Sequence, residues 1–163
     1  MALPMLVFSQ KNAIQNFYSK YKDHEEITAL SLSGSLIQFA ASFADDEGSQ
    51  KVMDKVTHLK LLVSDSNLVS KKDYLSFSKS LKKDAFEDLM QIKDQGSNID
   101  IMIREQGDKI TDVILLVEDH GDFVMISLEG DFKYSDLNDL DLKFEGSEHL
   151  KKLPEKRKDI PRA

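Results

Sequence analysis

The sequence predicts an α+β domain built on a mixed, mainly antiparallel sheet, its last four strands forming a meander and its helices packed mainly on one face. Three observations carry that expectation. Apolar residues recur at helical spacing over residues 12–22 and 71–82, and beyond residue 84 the period changes from helical to alternating. Turn-forming clusters at 94–98, 106–108 and 119–122 then cut the alternating half into hairpin-sized pieces.

Ile14, Phe17, Tyr18 and Tyr21 stand at i, i+3, i+4 and i+7, on one face of a first helix. Residues 27–33 read as a strand. Gly34-Ser35 leads into Leu36, Ile37, Phe39, Ala40 and Phe43, whose apolar density predicts a short buried helix. Val52, Val56 and Leu59 predict another short helix over 49–58, running directly into a strand at 59–64. Ser70 and Asp73 are in capping-box register ahead of Tyr74, Phe77 and Leu81, so a helix starts there and covers 71–82.

Phe86, Met90 and Ile92 alternate with Glu87, Gln91 and Lys93 as in a strand, with Leu89 breaking the pattern and a continued helix as the rival over 84–93. Ile99, Ile101 and Ile103 alternate with Asp100, Met102 and Arg104. Val113-Ile-Leu-Leu-Val117 is apolar without interruption, the pattern of an inner strand covered on both faces. Residues 123–128 make the last strand, and Ser135 is the N-cap of a helix expected over 136–142. Helices crowded onto one face of this sheet would leave Met102, Val124, Ile126 and Leu128 on an exposed apolar surface, the candidate interaction surface.

A chain of 163 residues suits one hydrophobic core, and 40% hydrophobic with 31% charged residues is the mixture of a globular domain. No stretch approaches the roughly 20 apolar residues of a membrane-spanning helix. Residues 1–9 are apolar and give way abruptly to Gln10, Lys11 and Asn12, as the end of a signal peptide does. Val7 and Ser9 fall at −3 and −1 of a cut before Gln10, and with no basic segment ahead of them the sequence starts inside the signal; a buried strand or hydrophobic arm is the alternative. The domain proper then covers 10–145. Residues 146–163, Lys-rich and carrying Pro154 and Pro161, predict a poorly ordered basic tail.

The net charge of −7 comprises +4 on the last thirteen residues and −11 on the rest, and so acidic a body argues against nucleic-acid binding. Lys151, Lys152, Lys156, Arg157 and Lys158 could add contact with an anionic membrane surface. The absence of cysteine excludes disulfides, thiolate metal sites, thiol nucleophiles and a lipid-bearing N-terminal cysteine.

Motifs that would carry catalysis do not assemble. There is no GxxxxGK[ST] loop and no GxGxxG after a strand, and His24-Glu25-Glu26 lacks the second histidine four residues on that a helical zinc site requires. His24, His58, His120 and His149 are scattered. Asp136, Asn138, Asp139, Asp141 and Glu145 resemble a calcium loop but lack its mid-loop glycine, and Glu145 falls two positions short of the bidentate site. The acidic turns at Asp45-Asp46-Glu47 and at Asp119 and Asp122 read as ordinary loops. Ser31, Ser33 and Ser35 flank a strand-to-helix turn without the GxSxG arrangement that exposes a nucleophile. Catalytic, cofactor-binding and metal-ligating residues are therefore expected to be none.

Taken together, Phe17-Tyr-Ser-Lys-Tyr21, Phe86-Glu-Asp-Leu-Met90, Ile101-Met-Ile-Arg-Glu105, Lys109-Ile110, Val113-Ile-Leu-Leu-Val117 and Phe123-Val-Met-Ile-Ser127 followed by Gly130 resemble the family catalogued as domain of unknown function 4252. The likeness extends over residues 17–140 and rests on packing and turn signatures. Such proteins occur chiefly in the cell envelope of Bacteroidota, some as lipoproteins. The resemblance implies an exported protein, and the missing lipid-accepting cysteine makes it soluble in the periplasm or secreted. The function expected is that of a non-enzymatic envelope module binding a protein or a surface, with a small-molecule or lipid carrier using a cleft between helices and sheet as the alternative.

Overall fold

The computed structural model describes residues 12–43, 47–65 and 67–138, and in them the alternating half of the sequence is the meander it predicts. Strands β3 (Glu87–Asp94), β4 (Ser97–Gln106), β5 (Lys109–Asp119) and β6 (Asp122–Phe132) lie side by side and antiparallel. Two of the turns place both central residues in the left-handed region, Gln95-Gly96 at φ 42° and 93° and His120-Gly121 at φ 48° and 101°. Their twist matches that of the flanking strands. Leu89 is the extra residue of a β-bulge between Asp88 and Met90, so the broken alternation marks a strand irregularity and the rival helix over 84–93 is not formed.

The sheet is completed on the far side of the meander. Strand β1 (Ile27–Ser33) pairs with β2 (Val56–Ser64), and β2 inserts next to β6, giving the order β1-β2-β6-β5-β4-β3. Every neighbouring pair is antiparallel, so the sheet is uniformly antiparallel rather than mixed. Helices α1 (Ala13–Tyr21) and α4 (Lys71–Lys83) lie where their periodicity places them, α1 capped by the Asn12 side chain and α4 by the Ser70 hydroxyl, which accepts from the Asp73 N–H at 3.1 Å. The segments α2 (Ser35–Ala41) and α3 (Glu47–Met53) connect β1 to β2. The helix expected over 49–58 stops at Met53. Val56 pairs instead with Gly130 across a bulge, because a ladder place beside a long strand outweighs one more turn of a weak helix. Helix α5 (Tyr134–Asn138) starts ahead of Ser135, and the Asp136 carboxylate accepts from the Lys133 N–H at 2.7 Å; residues 139–142 of the expected helix lie outside the described residues.

The helices do not crowd onto one face; they divide. Helices α1 and α4 cover one face, packing on Leu62, Met102, Ile114, Leu116, Phe123 and Met125. The shorter α2, α3 and α5 cover one end of the other, joining Ile37, Val52 and Leu137 to Val113, Leu115, Leu128 and Phe132. The reason lies in β5, where Ile114 and Leu116 alternate with Val113 and Leu115, all four buried. Leaving either set in water would cost about 25 cal/mol for each Å² of apolar surface, so both faces need a layer. Phe17 and Phe77 stack at 4.0 Å between α1 and α4, Tyr21 donates to Asp73 at 2.6 Å, and Asp84 at the end of α4 accepts from the Ala13 N–H at 2.6 Å, capping α1.

Candidate interaction surface

Met102, Val124, Ile126 and Leu128 do not form one surface. Met102 is fully buried under α1 and α4, while the other three point to the opposite face, Leu128 buried beneath its short helices and Val124 and Ile126 half-buried. The charges that flank Met102 in β4 are accommodated inside the fold. The Tyr74 hydroxyl donates to Asp100, the Gln91 amide donates to its other oxygen at 2.7 Å, and Arg104 Nε donates to Asp112 at 2.9 Å with its guanidinium 5.0 Å over the Phe86 ring.

Burial raises the Asp100 carboxyl above its ordinary value, and the nearby charge of Glu118 adds to the effect. The folded state therefore holds that proton at pH values where the unfolded chain has released it. Stability contributed by the neutral form is complete below the ordinary carboxyl range and is lost as pH rises from that range through the raised value. Asp100→Asn is expected to gain urea resistance relative to the parent between pH 4 and pH 7. Parallel curves at the two pH values would show that Asp100 titrates alike in both states.

Away from its helical end, the second face shows a row of half-buried apolar side chains, Val63, Val124, Val117, Ile99 and Ile92, aligned across neighbouring strands by the register. Thr28 ends the row on β1, and Leu30 beside it is 40% exposed. The exposed apolar character continues into α2. Only Ile37 and Ala41, four apart, are buried, because seven residues present one short stripe to the sheet; Leu36, Phe39 and Phe43 stand in solvent, Phe39 at 66% and Phe43 at 71%. The expectation of a buried helix is corrected accordingly. Phe39 and Phe43 meet edge to face at 5.2 Å, the one covering the other in part. Residues 27–43 contain no Asp, Glu, Lys or Arg in a chain that is 31% charged, and that gap is the signal by which sequence reasoning could have found this surface.

Of the remaining candidates, Asp136, His58, Asp119 and His120 sit in ordinary pairings, and Asp45, Asp46, Asp139, Asp141 and Glu145 lie outside the described residues. Asp136 holds Lys55 through both oxygens at 2.7 Å, His58 lies 3.3 Å from Glu129, and Asp119 accepts from Ser97 at 2.5 Å beside His120. Ser31 and Ser33 are exposed on β1, and Gly34 takes a positive φ of 59° at the turn into α2. Among the described residues no group of three or more His, Asp or Glu is placed to hold a metal ion, and no helix is long and apolar enough to cross a membrane. His149 and the basic cluster from Lys151 to Lys158 lie outside the described residues. An open groove of about 400 Å³ runs between α1 and α4, lined by Phe17 and Phe77 together with Lys20, Asp73, Lys83 and Asp84.

No curated protein and no solved structure matches the chain. The family model described as Domain of unknown function (DUF4252) matches residues 21–140, an interval that takes in β1 through β6 and the exposed margin at 27–43. The chain belongs to that family.

Proposed function

We propose that the protein is a non-enzymatic, exported module of the cell envelope that works by binding another protein through the uncharged margin of its sheet. The observation that carries this reading is the run of residues 27–43, free of charge and leaving Leu30, Leu36, Phe39 and Phe43 exposed. Protein interfaces are depleted of charge at their centres and enriched in aromatic anchors. Helices that lie in a lipid surface carry Lys or Arg on their polar side, and α2 has none, offering Ser35 and Gln38 there. Export is supported by the apolar run that ends at Ser9 ahead of Gln10 and by the resemblance to exported envelope proteins.

Both halves of the reading can be measured on the full-length protein. N-terminal sequencing from the envelope fraction is expected to begin at Gln10, and a retained Met1 in that fraction overturns the export. Capture from envelope extracts, run with the parent and with a Phe39→Asp, Phe43→Asp double variant, is expected to recover a partner that the variant loses by about tenfold or more. The two positions are exposed, so the variant keeps its fold. Equal recovery by both chains overturns the assignment of the surface.

A further inference from the structure

An open antiparallel sheet has two edges, and here only one carries the devices that keep an edge from pairing. Strand β3 at one edge has Glu87, Asp88, Lys93 and Asp94 along it and a bulge after Asp88. Charges and bulges of this kind blunt an edge. Strand β1 at the other edge has no charge and no proline and pairs with β2 in unbroken register. Among the described residues no strand pairs with its outer side. The Gly34 N–H donates to the Thr57 carbonyl across the hairpin at 3.3 Å, so by alternation the N–H groups of Ala29, Ser31 and Ser33 point away from β2.

We infer that β1 pairs with β1 of a second copy, antiparallel about a twofold axis normal to the sheet, joining the two sheets into one. The inference rests on the reading that this margin binds protein, and it names the partner. An antiparallel ladder between identical strands satisfies the outward groups of both at once and closes after two copies. Charge selects the place. Each chain carries −7, so two copies repel over most of their surfaces and approach at least cost where neither has charge, which is residues 27–43. An axis normal to the sheet keeps both copies of α2 on the same face, on either side of the new ladder. A ladder of seven residues is small beside the roughly 1,200–2,000 Å² of a stable interface, and Leu36 and Phe39 of each α2, with Phe43 just beyond it, supply further apolar area.

Sedimentation equilibrium of the full chain is expected to show a species of twice the monomer mass, and amide exchange at Ala29, Ser31 and Ser33 is expected to slow as protein concentration rises. Ser31→Pro removes one outward N–H and none that faces β2; it is expected to raise the dissociation constant about thirtyfold, since the symmetry removes that bond twice. A chain that stays monomeric at every concentration overturns the inference. So does protection of the outward amides that is independent of concentration, which would assign the edge to a segment of the same chain. Binding of a monomer to phosphatidylcholine vesicles through Phe39 and Phe43 overturns it in favour of a lipid surface. If Ser31→Pro fails to fold, the exchange measurement on the unaltered chain decides. A monomer whose envelope capture still depends on Phe39 and Phe43 leaves the protein-binding reading standing with a different chain as partner, whereas a monomer with no such dependence removes both.

Discussion

Met102→Glu is expected to abolish the cooperative unfolding transition, at a cost of about 5 kcal/mol or more. Met102 is fully buried, in a layer with Leu62, Ile114, Leu116, Phe123 and Met125 under α1 and α4. Truncating such a side chain costs about 2–5 kcal/mol through lost burial and the cavity it leaves. A glutamate there adds a carboxylate in an apolar layer, and leaving it without a partner costs several kcal/mol more or forces it to stay protonated. The sum is a large share of the roughly 5–15 kcal/mol by which a domain is stable. Circular dichroism against temperature measures it, with Met102→Leu as the volume-conserving control, expected within about 1.5 kcal/mol of the parent. A glutamate variant that melts like the parent would mean that position 102 faces water.

Gly130→Ala is expected to destabilise by about 3 kcal/mol through a different mechanism, overpacking against backbone. A Cβ built at Gly130 lies 2.2 Å from the Lys55 carbonyl oxygen and 2.7 Å from the Phe132 ring. Backbone oxygen cannot step aside as a side chain does, and Lys55 immediately precedes β2, whose pairing with β6 begins at Val56 and Gly130. Relief therefore has to come from moving the end of that ladder. Gly107→Ala serves as the comparison, since a Cβ there meets nothing within 4 Å and the only penalty is its φ of 66°. That change is expected to cost about 1 kcal/mol. Urea midpoints for the two variants that coincide would show that the approach of Lys55 to Gly130 is looser than the structure has it.

What the sequence reveals of this fold is what is local. Strand β1 occupies residues 27–33 as its composition indicates, α4 begins where Ser70 and Asp73 announce it, and the meander turns fall at the expected clusters. Each of those signals acts within a few residues. The burial of Met102 is illegible from alternation, because Asp100 and Arg104 on the same side of β4 look like a solvent face. Their partners Tyr74, Gln91 and Asp112 become neighbours only through tertiary pairing. The entry of β2 beside β6 is likewise a choice that no single element encodes, whereas the demand for cover on both faces is carried by β5 alone. The exposure of Phe39 and Phe43 escapes a rule that sends apolar residues inward, since that rule runs in one direction only. Of the residues first expected on an interaction surface, only Val124 belongs to the half-open row, Ile126 lying in the next row, against Leu61 and Leu115, and the margin at 27–43 was visible only as a gap in the charge.

The entry of β2 beside β6 also fixes an order of events while the chain is being made. Each meander strand meets its neighbour across a two-residue turn and can zip as soon as it is complete. On its β6 side, strand β2 has no such opportunity: Ser64 waits for Phe123 and Val56 for Gly130. A nascent chain emerging N-terminus first therefore displays residues 27–43 and the inner side of β2 through most of its synthesis, and the last strand to appear is the one that closes the sheet. The two parts of the sheet stay unjoined, and their open edges dependent on whatever keeps such edges apart, until the final strand is in reach.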